Sequence, residues 1–128
     1  MYWRKNLHKV FSIDLARKPS LGCDPDEVFY QDSTLEPARI TPNGDHDHLP
    51  YGGTCVAQAM LRAFYAGYTD LRLVGADFYG SRYFDGREVY PERDGQSWGQ
   101  IYRMQGLVDR LKDLGCTVTS ETDTALRL

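Results

Sequence analysis

Apolar positions along the chain change spacing several times, and each change marks an element. In "KVFSIDL", residues 9–15, the apolar members Val10, Phe11, Ile13 and Leu15 read as a first strand. "EVFYQDS" reads as a second, shorter strand, after the turn-rich "RKPSLGCDPDE". Between residues 34 and 50 the pattern breaks. Pro37, Pro42, Asn43-Gly44 and Pro50 punctuate a stretch that contains "GDHDH", and it reads as a long loop.

The second half is more regular. In "GGTCVAQAMLRAFYAGY", Val56, Met60, Ala63 and Phe64 recur at i, i+4, i+7 and i+8, which predicts a helix. Thr54 suits its N-cap and Gly67 its C-terminal stop. Residues 71–76 follow, with Leu71, Leu73, Val74 and Ala76 almost continuous, as in a strand buried in a core. A second helix is predicted in "SWGQIYRMQGLVDRLKDLG". Ser97 and Gln100 fit a capping box, Ile101, Met104, Val108 and Leu111 form the stripe, and Gly115 stops it. "CTVTSE" reads as a last strand, and residues 124–128 as a short final turn.

Strands alternating with helices imply an α/β fold. The expectation is a single domain, three-layered and Rossmann-like, in a small or truncated version. Its sheet is mostly parallel with helices on both faces. Residues 1–50 form its irregular N-terminal part and residues 51–128 its core. A length of 128 residues suffices for one hydrophobic core.

Composition narrows the function classes. Net charge is −3, and no segment gathers Lys and Arg on one face, which argues against a nucleic-acid binder. No apolar run approaches the about 20 residues that span a bilayer, and the start lacks the features of a signal peptide. The expected location is cytoplasmic. Cys23, Cys55 and Cys116 are odd in number and far apart, so neither a zinc ribbon nor a disulfide framework is implied. Cys55 and Cys116 fall in apolar patterns and read as small hydrophobes.

In open α/β sheets ligands gather outside the carboxyl ends of strands and at helix N-termini on the same edge. Three segments should converge there: "YGGT", "DFYGSRY" and "SETDT". Gly52, Gly53 and Thr54 would let the backbone approach a phosphate or carboxylate at a helix start. Asp77 closes the core strand, and Tyr79 and Tyr83 would donate hydrogen bonds to a leaving phosphate, with Arg82 adding charge. "GDHDH" has the residue types of a metal site, but no second cluster completes one, and it reads as a solvated polar loop. Either His46 or His48 has the side chain of a general base. No GxSxG, Walker A or GxGxxG occurs, and no cofactor is expected.

From residue 52 onward the chain resembles the C-terminal core of a superfamily of Rossmann-like proteins. Bacterial sialyltransferase-like glycosyltransferases and 6-hydroxymethylpterin diphosphokinase-like domains belong to it. The resemblance rests on Gly52-Gly53-Thr54, Gly67-Tyr68, Gly75-Ala76-Asp77-Phe78-Tyr79 and Tyr83-Phe84, and more loosely on residues 115–118. It covers residues 50–128. It implies nucleotide-sugar binding, with Tyr79 and Tyr83 on the departing phosphate and Gly53 and Thr54 on the donor. The family's histidine base precedes its last helix; here that region reads "RDGQSWGQ", so the base would come from elsewhere, His46 or His48. The family's complete N-terminal nucleotide-binding half has no counterpart in residues 1–50.

Three functions follow. One is a nucleotide-sugar-binding, glycosyltransferase-like protein. Another is a non-catalytic remnant or binding module, whose implied partner is a second copy covering a sheet edge. The last is a nucleotide-dependent pyrophosphokinase-like protein using acids around Asp77.

Overall fold

A computed structural model describes residues 7–18, 22–51, 54–76, 78 and 94–128, with only the backbone for 94–100. Strand β1 (Val10–Ser12) runs straight into a single helical turn, α1 (Ile13–Ala16). The sequence predicts one longer strand there. Ser12 ends it, because its hydroxyl accepts the Leu15 N–H at 3.4 Å and starts a turn instead. Strand β2 (Glu27–Asp32) lies where it is predicted.

The segment expected as a loop holds two elements. A 3-10 turn (Pro37–Arg39) starts on a proline, and β3 (His48–Pro50) follows. Short strands of this kind carry no alternation long enough to read. Strands β1, β2 and β3 pair in that order, all parallel, with Ser12 beside Phe29 and Asp32 beside Pro50. Among the described residues of the N-terminal part, three short strands form a parallel sheet.

Helix α2 (Cys55–Tyr65) begins at Thr54, whose hydroxyl accepts the Ala57 N–H at 3.1 Å. Gly67, at φ 97°, ends it in a conformation that favours glycine. Its buried residues are Ala57, Gln58, Met60 and Leu61, so the deepest face shares Met60 with the predicted stripe and is otherwise turned from it. Val56, Ala63 and Phe64 are half-buried against the same core.

Strand β4 (Asp70–Leu73) pairs in parallel with β5 (Thr117–Ser120), Leu71 beside Val118. Only one face of β4 is buried: Leu71 and Leu73 point inward, Arg72 points out, and Val74 beyond its end is 72% exposed. Residues 71–76 are therefore not a strand buried on both faces. Between β4 and β5 lies α3 (Asp94–Asp113), which begins three residues before Ser97, so Ser97 is inside the helix and not its cap.

Met104, Leu107, Val108 and Leu111 of α3 are completely buried, at i, i+3, i+4 and i+7. They form one core cluster with Leu71, Leu73, Val118, Leu61, Leu49 and Phe29, joining both sheets. Gly106 lets α3 approach the 3-10 turn, since a Cβ there would lie 3.2 Å from the Ala38 methyl. The C-terminal segment docks on the same helix: Gln105 exchanges two hydrogen bonds of 2.8 Å with the Arg127 backbone, and Leu126 is buried. The molecule is a small parallel α/β arrangement of the Rossmann-like kind, with two small sheets and three helices among the described residues.

Candidate functional site

Of the three segments expected to converge, "SETDT" lies at the carboxyl ends of β4 and β5, fastened to the residues just before "DFYGSRY". Thr122 of "SETDT" accepts the Gly75 N–H at 2.9 Å, and the Thr124 hydroxyl donates to the Ala76 carbonyl at 2.7 Å. The Glu121 N–H donates to the Leu73 carbonyl at 2.9 Å, and Ser120 turns the chain by donating to Thr122 O at 2.6 Å. The exit of β4 is thus fastened residue by residue. Gly75 takes φ 71°, which the turn requires of it, and Phe78 takes φ 60°. A left-handed phenylalanine costs about 1–3 kcal/mol and is held there by its surroundings; its ring packs half-buried on the core.

Asp77, Tyr79, Arg82 and Tyr83 lie outside the described residues, as do Gly52 and Gly53. Of the "YGGT" segment, Thr54 is described. Its hydroxyl is occupied twice: it caps α2, and it lies 3.5 Å from the Met104 sulfur, to which it donates. Both contacts serve the start of α2, and one lone pair of the hydroxyl is left over.

His48 sits elsewhere. It is the first residue of β3, beside Tyr30 of β2, and the two rings stack with centroids 4.9 Å apart. Its Nδ1 is 2.8 Å from Asp45 Oδ2. A carboxylate on one ring nitrogen orients the imidazole and leaves the other nitrogen to act. Asp45 itself is held below its ordinary pKa, first by the Asp47 N–H and then by His48. The dyad lines a cleft of about 380 Å³ together with Arg39, Thr41 and Tyr65.

His46 faces another cleft, of about 520 Å³, where its ring stacks on Tyr65 at 4.8 Å. Tyr65 donates to the Thr41 carbonyl at 3.2 Å, and burial followed by the Asp45 charge raises its pKa. Arg62 donates to the His46 carbonyl and pairs with Glu27 at 3.1 Å. "GDHDH" is exposed, yet the His46 ring and carbonyl are engaged by Tyr65 and Arg62 of α2 and the His48 ring by Tyr30 of β2. No group of three or more His, Cys, Asp or Glu among the described residues is placed to hold a metal ion.

His48 is a candidate base in the sequence, but the partners that orient it are not evident there. Asp45 lies three positions before it, within the quoted motif; Tyr30 lies on another strand, and only the register reveals it. Cys55 is exposed while Cys116 is buried and its thiol pKa raised by that burial, so only Cys116 behaves as a core residue. No helix among the described residues is long and apolar enough to cross a membrane. No family model, curated protein or solved structure matches the chain.

Proposed function

We propose that the protein binds a nucleotide sugar at the carboxyl edge of β4 and β5 and is a sialyltransferase-like glycosyltransferase. The observation that carries this reading is the fastened exit of β4. Thr122 and Thr124 hold Gly75 and Ala76, and the left-handed Phe78 follows at once. Strain kept in place by specific hydrogen bonds concentrates at ligand edges. Asp77, Tyr79, Arg82 and Tyr83 follow this junction in the chain; the family resemblance assigns Tyr79 and Tyr83 to a departing phosphate, and Arg82 adds charge beside them.

In this reading an acceptor hydroxyl attacks the anomeric carbon while the bond to the nucleotide phosphate breaks and its electron pair leaves with the phosphate. Tyr79 and Tyr83 donate hydrogen bonds to the charge that develops there, and Arg82 adds a cation. His48, oriented by Asp45, takes the hydroxyl proton. Gly52 and Gly53 bring the donor to the start of α2.

A second reading, a binding module without catalysis, is favoured by the place of His48. It opens β3, at the amino end of its strand, whereas ligand edges lie at carboxyl ends. Thermal shift tests both readings. Cytidine or uridine nucleotides should raise Tm, and Tyr79→Phe should abolish the rise. Turnover of the donor then selects the transferase, and binding without turnover selects the module. If no nucleotide shifts Tm, the transferase reading fails, and the module reading then stands or falls on dimerisation in sedimentation.

A further inference from the structure

His48 is an imidazole held on two sides. Its ring lies on that of Tyr30, with centroids 4.9 Å apart and planes 11° apart, and its Nδ1 lies 2.8 Å from Asp45 Oδ2. Asp45 is itself fixed, because its other oxygen accepts the Asp47 N–H at 2.8 Å. A carboxylate beside Nδ1 keeps the ring proton there and leaves the lone pair of the neutral ring on Nε2. Nε2 has no hydrogen-bond partner among the described residues. The side chain is 50% exposed even though one face is stacked and one nitrogen is taken. What stays open is the other face and the far edge of the ring, where Nε2 sits.

The groups around the cleft of about 380 Å³ decide what can meet that nitrogen. Asp45 is taken up by His48 and the Asp47 N–H, and Tyr65 gives its hydroxyl proton to the Thr41 carbonyl. Arg39 and Glu36 also line the cleft; both are exposed, and neither side chain has a partner among the described residues. One free charge of each sign favours neither an anion nor a cation, so a neutral substrate suits this lining. Leu35, 41% exposed, offers it accessible apolar surface. The Arg39 guanidinium is a permanent cation and a donor for any oxyanion formed there. An oriented imidazole nitrogen, its carboxylate and a free guanidinium in one cleft are the parts that acyl transfer requires.

We infer that this cleft hydrolyses small, neutral, activated carboxylic esters, with His48 as nucleophile, Arg39 as oxyanion donor and Asp45 as positioning residue. Nε2 bonds to the carbonyl carbon, and the carbonyl electron pair moves onto the oxygen beside Arg39. As that pair returns, the ester C–O bond breaks and its electrons leave with the alkoxide or phenolate. Water then adds to the acyl-imidazole and the C–N bond breaks, which frees the carboxylic acid and restores the ring. One water proton stays on the acid, and the other passes through solvent to the leaving oxygen. The inference stands apart from the nucleotide-sugar reading, since it needs neither the sugar donor nor Tyr79 and Tyr83.

p-Nitrophenyl acetate tests it on the full chain, by release of nitrophenolate. The rate should saturate with ester and exceed that of an equal concentration of free imidazole by at least about tenfold. His48→Gln should lower kcat/KM at least about tenfold. Asp45→Asn should lower kcat about tenfold and keep KM within about twofold, a split that a merely structural role would not give. Arg39→Gln should lower kcat about tenfold as well. His8→Gln removes an exposed imidazole outside the cleft and should leave the rate unchanged. A rate that stays linear in ester, or that only matches free imidazole, would overturn the inference on the wild type alone, even where His48→Gln fails to fold. So would a His48→Gln or Arg39→Gln protein with full activity, or an equal loss in His8→Gln.

Discussion

Helix α3 buries Met104, Leu107, Val108 and Leu111 completely, whereas Tyr30, Asp45 and His48 in the first half remain exposed and are held by polar contacts and ring stacking. The β4–α3–β5 unit follows a pattern of apolar burial on one helix face and one sheet face. The β1–β3 region adds Phe11, Phe29, Ile40 and Leu49 to the buried set, but its connections depend on side chains gripping backbone. Lys9 N–H meets Asp26 at 2.6 Å, Thr34 meets Asp32 at 2.6 and 2.9 Å, and Arg110 of α3 donates to the Ile40 carbonyl at 2.9 Å. The difference predicts distinct weaknesses: the first region is sensitive to charge, the second to lost volume.

The largest effect should come from the shared core. Leu107 is fully buried, so Leu107→Ala should cost about 2–5 kcal/mol in urea unfolding, through lost transfer energy and the cavity left behind. Because the core cluster contains Phe29 and Leu49 as well as α3, both regions should unfold in one transition. Two separate transitions would break the comparison into two independent units. A smaller effect is expected at Gly44. A Cβ there would collide with the Tyr65 hydroxyl and come within 3.1 Å of the Thr41 carbonyl. Gly44→Ala should therefore push the flexible end of Tyr65 aside and break its bond to Thr41, costing about 1 kcal/mol. The loss should be confined to the Tyr65–His46 neighbourhood, seen as amide shifts there and not in α3.

The two regions also differ in how much of them the sequence discloses. For α3 the spacing of Met104, Val108 and Leu111 named the buried stripe directly, and Leu107 completed it. Thr54 and Gly67 bounded α2 correctly, because capping chemistry is local. Its buried face was less legible: Gln58 sits there with Ala57 and Leu61, and a glutamine carries no apolar signal. Strand β3 escaped notice because three residues, one of them a proline, show no alternation. The convergence of "SETDT" on the end of β4 could be inferred from topology alone, since parallel strands end on one edge. The His48–Tyr30 stack could not, because it depends on the register between two strands forming a parallel pair.

The smallest and most specific effect concerns pH. Four carboxylates in the first region are held below their ordinary values: Asp26 first by the Lys9 N–H, Glu27 first by His8, Asp32 first by the Thr34 hydroxyl, Asp45 first by the Asp47 N–H. A depressed folded-state pKa means that the charged form is favoured by folding. Its contribution is present above the unfolded value and is lost as pH falls through the folded one. With ordinary values of 3.8 for the aspartates and 4.5 for Glu27, the loss should begin near those values and deepen below them. Asp26, Glu27 and Asp45 are exposed and Asp32 half-buried at a strand end, so each contribution is modest and screened by salt. Acidification from pH 6 to pH 3 should therefore disturb the NMR resonances of β1–β3 before those of α3. Added salt should narrow the gap between the regions, because it weakens the charged contacts of one and leaves the apolar packing of the other. If the resonances of α3 shift first, or if salt leaves the order and size of the shifts unchanged, the polar contacts are not what distinguishes the first sheet from the second.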